Sequence, residues 1–151
     1  MCLNINEKRT KRVRRTLKDN GGQTVMWKRL KLKNLGYYST SPLRGFDYKT
    51  KNILISPVEG YEYSPGDNVS NRKSTDISVI EKKCEAVYKG IHVYTNKQKA
   101  LEAKSFWEVL VPVTVRLKDF VAAGCRYEAV FTKVHLSKEE YKKAIGEITC
   151  A

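Results

Sequence analysis

The sequence predicts a single α+β domain, its sheet mostly antiparallel or mixed, with a basic helix at the N-terminal end and an amphipathic helix at the C-terminal end. Three observations predict it. The chain has 151 residues, 41% of them apolar, which is the length of one domain with matter enough for one core. Its second half, residues 85–149, reads as strand, helix, strand, strand and helix, a pattern in which helices cover one face of a sheet. Its first twenty-two residues hold a cap, a dense run of bases and a glycine stop, the marks of a separate helix.

In chain order, Asn6 is placed to cap a helix over about 6–19 that ends at Asn20-Gly21-Gly22, a sequence suited to a left-handed helix end. Val13 and Leu17, four apart, share one face of it, so it packs by a thin stripe. Thr24 to Lys33 starts without clear period and settles into alternation of Leu30 and Leu32 against Lys31 and Lys33, a half-exposed strand with a basic outer face. Residues 34–82 are rich in Gly, Pro, Ser, Asn and Tyr, with Ser41-Pro42, Ser56-Pro57 and Ser64-Pro65-Gly66-Asp67, which predicts frequent turns, short strands and long loops. Ala86 to Tyr94 reads as a strand, and Thr95 with Gln98 as a capping box for a helix carrying Ala100, Leu101 and Ala103. Trp107–Leu117 and Tyr127–Leu136 are β-rich runs expected to pair antiparallel across a compact connection, Lys118 to Gly124. Ser137 with Glu140 is a second capping box, and Tyr141, Ala144, Ile145 and Ile148 follow at the spacing of one helix face.

Charge is the strongest functional signal. The net charge is +13, and residues 7–33 alone hold eleven bases against two acids, Glu7 and Asp19. Acids that would pair one turn away along the helix are almost absent, whereas a merely solubilising surface mixes both signs. For the strand, lysines guarding an exposed edge suffice as an explanation. For the helix, the sequence predicts an anionic partner, met by Arg9, Arg12, Arg14 and Arg15, with Lys28 and Arg29 from the following strand. Tyr37, Tyr38, Phe46, Tyr48, Tyr61 and Tyr63 give the middle of the chain an unusual aromatic density. Tyr61 and Tyr63 are candidates to stack bases, although two tyrosines at this spacing are more simply read as one side of a strand turned into the core with the hydroxyls at the rim.

Catalytic and metal signals are sparse. Cys2, Cys84, Cys125 and Cys150 are too widely spread for a zinc site or a disulfide framework, so no metal is expected and the thiols are read as reduced. P-loop, dinucleotide-binding, zincin and hydrolase-elbow motifs do not occur. Cys2, exposed by removal of Met1, is the one candidate nucleophile, and His92, beside Gly90, is both a candidate to activate it and a candidate ligand contact. The alternative reading makes Cys2 and Leu3 apolar packing at the chain start and His92 a hydrogen-bonded strand residue. Met-Cys-Leu also departs from the Met-Cys-Gly of glutamine amidotransferases. Glu108, Asp119 and Glu128 are read as surface carboxylates, and His135 as a polar strand end. No apolar run reaches eighteen residues and the start is unlike a secretory signal, so a cytoplasmic protein without a membrane partner is expected.

Met1-Cys2-Leu3-Asn4 before a basic segment, Val25 to Leu30, Ser41-Pro42, Gly60 to Gly66, Gly90 to Tyr94, Val109 to Val113, Asp119 to Gly124 and Glu128 to Phe131 together resemble a family of small phage and prophage-type proteins. The resemblance implies a setting in a host bacterial cytoplasm and an accessory role, of the kind played by antagonists of bacterial defence. It carries over no functional residue. The resulting expectation is a non-catalytic binder of a phosphate-bearing ligand, a nucleotide signal or a nucleic acid, sequestered without a cofactor. The alternatives are an antagonist docking on an acidic host protein, with tyrosines and tryptophans as anchors, and an enzyme using Cys2.

Overall fold

Asn6 opens the first helix as expected: its side chain accepts a hydrogen bond from the Arg9 N–H at 3.0 Å. In the computed structural model the backbone is described for residues 3–41, 45–57, 60–70, 77–80, 84–87 and 90–149, and side chains for 3–33, 52–57, 60–70 and 90–148. The chain runs β1 (Leu3–Asn4), α1 (Glu7–Asp19), β2 (Gln23–Ser41), β3 (Gly45–Ile55), β4 (Glu62–Tyr63), β5 (Gly66–Val69), β6 (Ile77–Ile80), β7 (Cys84–Val87) and β8 (Ile91–Tyr94). It continues as α2 (Lys97–Ala103), β9 (Glu108–Arg116), a 3-10 turn (Leu117–Asp119), β10 (Phe120–Ala123), β11 (Glu128–Phe131), β12 (Lys133–Leu136) and α3 (Lys138–Thr149). α1 ends in two glycines at φ 74° and 89°. There the Gly22 N–H returns to Leu17 O at 2.8 Å and the Gly21 N–H to Lys18 O at 3.1 Å, a left-handed stop that satisfies the last carbonyls.

Every strand pairing is antiparallel, and the domain is α+β. The larger sheet is ordered β10-β11-β8-β2-β9-β12-β5, with β3 joined to β2 and β4 to β3; β1, β7 and β6 form a small second sheet. β2 organises the larger one. One of its edges takes β9 from Gln23 to Lys31. The other takes β8 at Trp27 and then β3 from Lys31 to Ser41. Along β2 the even residues Met26, Lys28 and Leu30 turn inward, meeting Val109, Val111, Val113 and Val115 of β9, with Leu17 of α1 and Ala144 of α3 in the same core. Val13, Tyr141, Ile145 and Ile148 pack partly buried against it, so both amphipathic stripes read from the sequence do face the sheet. Among the described residues no helix is long and apolar enough to cross a membrane.

Four expectations need correction. The middle of the chain is not chiefly loops: β2 continues to Ser41 and returns as β3 in a ladder from Lys31↔Ile55 to Ser41↔Gly45. Tyr37-Tyr38-Ser39-Thr40 and Tyr48 with Thr50 are residues that favour extended backbone, a preference the flanking Gly and Pro obscured. The cap of α2 is Asn96, whose side chain accepts from the Lys99 N–H at 3.0 Å, one residue after Thr95. The run Ala86–Tyr94 is two strands in different sheets, parted near Gly90 at φ 113°. The run Tyr127–Leu136 is likewise divided at Thr132, whose N–H and hydroxyl both turn to Asp119 O. Only its second half, β12, pairs with β9, while β11 pairs with β8 and with β10, a strand inside the expected connection.

The chain start lies against the end of β10, through an Ile5↔Gly124 bridge and an Asn6 N–H to Ala123 O bond of 2.9 Å. A Cβ on Gly124 would stand 2.5 Å from Leu3 Cδ1 and 2.9 Å from Asn4 O. Gly124→Ala must therefore push backbone as well as side chain, and is expected to cost about 2 kcal/mol, which lowers Tm by roughly 4–8 °C at this chain length. Gly146→Ala in α3, with nothing within 4 Å, is expected to shift Tm slightly upward, since alanine favours a helix interior. Thermal melts of both variants followed by circular dichroism check the pair; equal shifts would contradict the close approach.

Candidate anion-binding surface

Thr10 fixes α1 on the sheet: its hydroxyl donates to Ala123 O at 3.2 Å and accepts from the Ala123 N–H at 3.0 Å. With Leu17 buried and Val13 partly so, the remaining circumference carries seven bases, Lys8, Arg9, Lys11, Arg12, Arg14, Arg15 and Lys18, with acids only at Glu7 and Asp19. Two guanidinium groups lie on aromatic rings of the neighbouring hairpin. Arg9 sits 4.2 Å from the centroid of Tyr127 and Arg14 5.7 Å from that of Phe120, contacts that orient a cation without neutralising it. Arg12 and Arg15 are exposed. The ion pairs among the described residues join Arg29–Glu108, Lys99–Glu102 and Asp67 with Lys133 and His135. None involves α1.

The other predicted contacts lie elsewhere. Lys28 is 8% exposed and faces inward. Its Nζ donates to His92 O at 2.8 Å and lies 5.8 Å from the Tyr63 ring centroid. This is where β8 leaves β2 and β3 takes its place, and the ammonium ties β2 to the β8 backbone there. Tyr63 is buried, and Tyr61 packs edge-on against it at 5.1 Å while donating its hydroxyl to Val69 O at 2.6 Å. Partial burial raises the Tyr61 hydroxyl above its ordinary pKa. Two residues apart, these tyrosines serve the strand side rather than an open stacking face.

His92 is 9% exposed. Its cross-strand partner is Val130, which packs with Leu3 and Ala122 beneath β1. Burial, reinforced by the Lys28 charge, lowers its pKa to about 4, so the ring is neutral at pH 7. Its Nε2 is buried with no hydrogen-bond partner. Cys2 lies outside the described residues, and its expected pairing with His92 with it.

Arg29 is committed to the fold. Nη1 donates to Ala103 O at 2.7 Å and stands 3.4 Å from the buried Glu108 carboxylate, while the guanidinium lies 5.5 Å from the Tyr94 ring. Burial raises the Tyr94 hydroxyl above its usual pKa. Glu108 also accepts from the Ser105 N–H at 3.2 Å, so this carboxylate, buried rather than at the surface as the sequence suggested, tethers the segment before β9. Of the nine predicted contacts, then, Arg9, Arg12, Arg14 and Arg15 are carried by α1, outside its buried stripe. Lys28, Arg29, Tyr63 and His92 lie in the sheet, and Tyr61 just before β4.

No protein family, curated protein or solved structure matches the chain.

An aromatic cleft escaped the sequence reading. It has a volume of ≈ 1240 Å³ and runs from α2 across the start of β9 to α3, with Trp27, Phe106 and Trp107 in its wall. No residue of α1 lines it. The signal was present but weak: Phe106 and Trp107 stand side by side ahead of β9, whose own core positions are taken by Val109, Val111, Val113 and Val115. Among the described residues no group of three or more His, Cys, Asp or Glu side chains could hold a metal ion.

Proposed function

We propose that the protein is a non-catalytic binder of a phosphate-bearing ligand, and that the ligand is a nucleic acid lying along α1 rather than a nucleotide held in a pocket. The observation that carries the reading is the run of exposed bases on α1 with no internal counter-charge among the described residues. Lys8, Arg12 and Arg15 recur at one helix face, and Lys11, Arg15 and Lys18 along its neighbour. Such a row, absent from the wall of the large cleft, meets an extended polyanion better than a single compact phosphate. A mononucleotide is better served by a concave site with a few convergent donors. In the phage setting that the resemblance implies, sequestration of a nucleic acid would counter a host defence without any chemistry.

Counterion release supplies the test. Five of the exposed bases, Lys8, Lys11, Arg12, Arg15 and Lys18, each meeting one phosphate, give log Kobs against log salt a slope of about −3.5 on a single strand and about −4.5 on a duplex. Fluorescence anisotropy of labelled DNA and RNA between about 50 and 200 mM salt measures it. A panel of cyclic and ADP-ribose-type nucleotides, whose binding should vary less with salt, forms the comparison. Failure of every oligonucleotide to bind at low salt would end the proposal.

A further inference from the structure

We infer that the cleft beside α2 is a base-stacking site, so that the nucleic acid is taken up as a single strand. The inference rests on the reading of α1 given above and adds the form of the ligand. Its starting point is an exposure with no structural use: Phe106 is 89% exposed and Trp107 55%. Large aromatic surface left in water beside a cleft marks a contact site. The two rings are not loose. They form an edge-to-face pair, centroids 4.8 Å apart and planes at 76°.

The segment that carries the pair is held on both sides. The Ser105 N–H donates to Glu108 Oε2 at 3.2 Å, the Glu108 N–H to Ser105 O at 3.1 Å, and Lys104 Nζ to Glu108 O at 3.3 Å. Arg29 fixes the same carboxylate and the last carbonyl of α2. The rings are therefore presented on a turn set in advance, which lowers the ordering cost of binding. Trp27 adds a third ring to the wall, and Lys31, Lys97 and Lys104 stand around it. Glu108 is already engaged by Arg29; the other carboxylates of the wall, Glu140 and Glu147, belong to α3. Aromatic faces beside ammonium groups are the pattern that holds single strands, because every base offers a ring face whatever its sequence. The bases of a duplex are stacked on one another and cannot enter.

A path joins this cleft to α1. Arg9 lies on Tyr127, an exposed tyrosine at φ 59°, the one non-glycine residue in the left-handed region among those described. Its carbonyl accepts from the Thr95 N–H at 2.8 Å and from the Thr95 hydroxyl at 3.1 Å. Asn96 then caps α2, whose first residue, Lys97, is in the cleft wall. A strand leaving the arginines of α1 thus crosses the Arg9–Tyr127 stack to reach the rings.

The chain supplies its own reporter, since it has two tryptophans and both line the cleft. An oligo-dT of about 12 nucleotides, within the span single-strand sites use, is titrated into the full chain and compared with a duplex of equal length. The expected result is quenching of tryptophan emission by oligo-dT, at the concentrations where anisotropy reports binding, and little quenching by the duplex. Phe106→Ala, which keeps both tryptophans, and Trp107→Ala, followed by anisotropy, are each expected to weaken oligo-dT binding about ten-fold and to leave duplex binding unchanged. Both side chains are exposed, so folding is retained. Tight oligo-dT binding with tryptophan emission unmoved and both variants unaffected would overturn the cleft and spare the reading of α1. Loss of all binding, duplex included, would remove the reading of α1 and the inference with it. Quenching by a polyglutamate peptide but not by oligo-dT would make the cleft a protein-docking site and overturn the inference as well.

Discussion

Reversing two outward arginines of α1, Arg12→Glu together with Arg15→Glu, is expected to lower nucleic-acid affinity on the order of a hundred-fold at about 50 mM salt and to leave the fold intact. Each phosphate contact contributes roughly 0.9 of the logarithm of the salt ratio, so at this salt one contact is worth about a factor of ten relative to a 1 M reference. Two lost contacts give the hundred-fold, and carboxylates facing phosphates add to it. The loss should shrink as salt rises, and the slope of log Kobs against log salt should become shallower by about 0.9 for each duplex contact removed. Stability should not fall. Neither arginine has an ion pair among the described residues, and a carboxylate at these positions meets Lys8 or Lys11 one turn earlier. Anisotropy titrations with a parallel thermal melt decide the matter: unchanged affinity in a folded variant would leave the charge of α1 without the role proposed for it.

Local signals in this chain were legible because they act within a few residues. The Asn6 cap, the double-glycine stop after α1 and the Ser137 cap of α3 each satisfy backbone groups no more than five positions away, and so leave a fixed spacing in the sequence. The long ladder of β2 with β3 left none. Its register is set by pairing between two strands, and its residues include Gly36, Ser39 and Ser41, which look like loop when read one strand at a time. Lys28 shows the same limit at the site. Beside Arg29 it reads as one more surface base, yet the parity of β2 turns it inward with Met26 and Leu30, and the carbonyl it serves is 64 residues away. The cationic surface was visible as composition. The aromatic cleft was not, because Trp27, Leu101, Phe106 and Trp107 come from three stretches of chain that only the fold brings together.

Acidification between about pH 6.5 and 4 is expected to cost the protein roughly 3 kcal/mol of stability, with His92 as the group responsible. The pKa of this buried imidazole is lowered to about 4 in the fold, first by burial and then by the Lys28 charge, from 6.5 in an open chain. Above pH 6.5 neither state holds the proton and His92 contributes no pH dependence. Below it the unfolded chain takes up a proton that the folded chain refuses, so each further pH unit removes about 1.4 kcal/mol until the folded ring is protonated as well. The total is a large part of the 5–15 kcal/mol usual for a domain. Asp67 acts in a lower window. Its carboxylate, held below the usual range by hydrogen bonds from His135 first and then Lys133, gives stability that is lost only as pH falls below 3.8. Urea denaturation at pH 7, 6, 5 and 4.5 therefore weighs chiefly the histidine, with Glu102, held below 4.5 first by its hydrogen bond from Lys99, entering only at the last point. The native chain should lose stability steadily across this series, and His92→Gln, which keeps a polar side chain but cannot take up a proton, should stay level from pH 7 to 4.5. The same measurement bears on the ligand, since a ring that refuses its proton at pH 7 offers a phosphate no charge. A native chain as stable at pH 4.5 as at 7 would instead put His92 in water, where it could meet an anion as the sequence alone suggested.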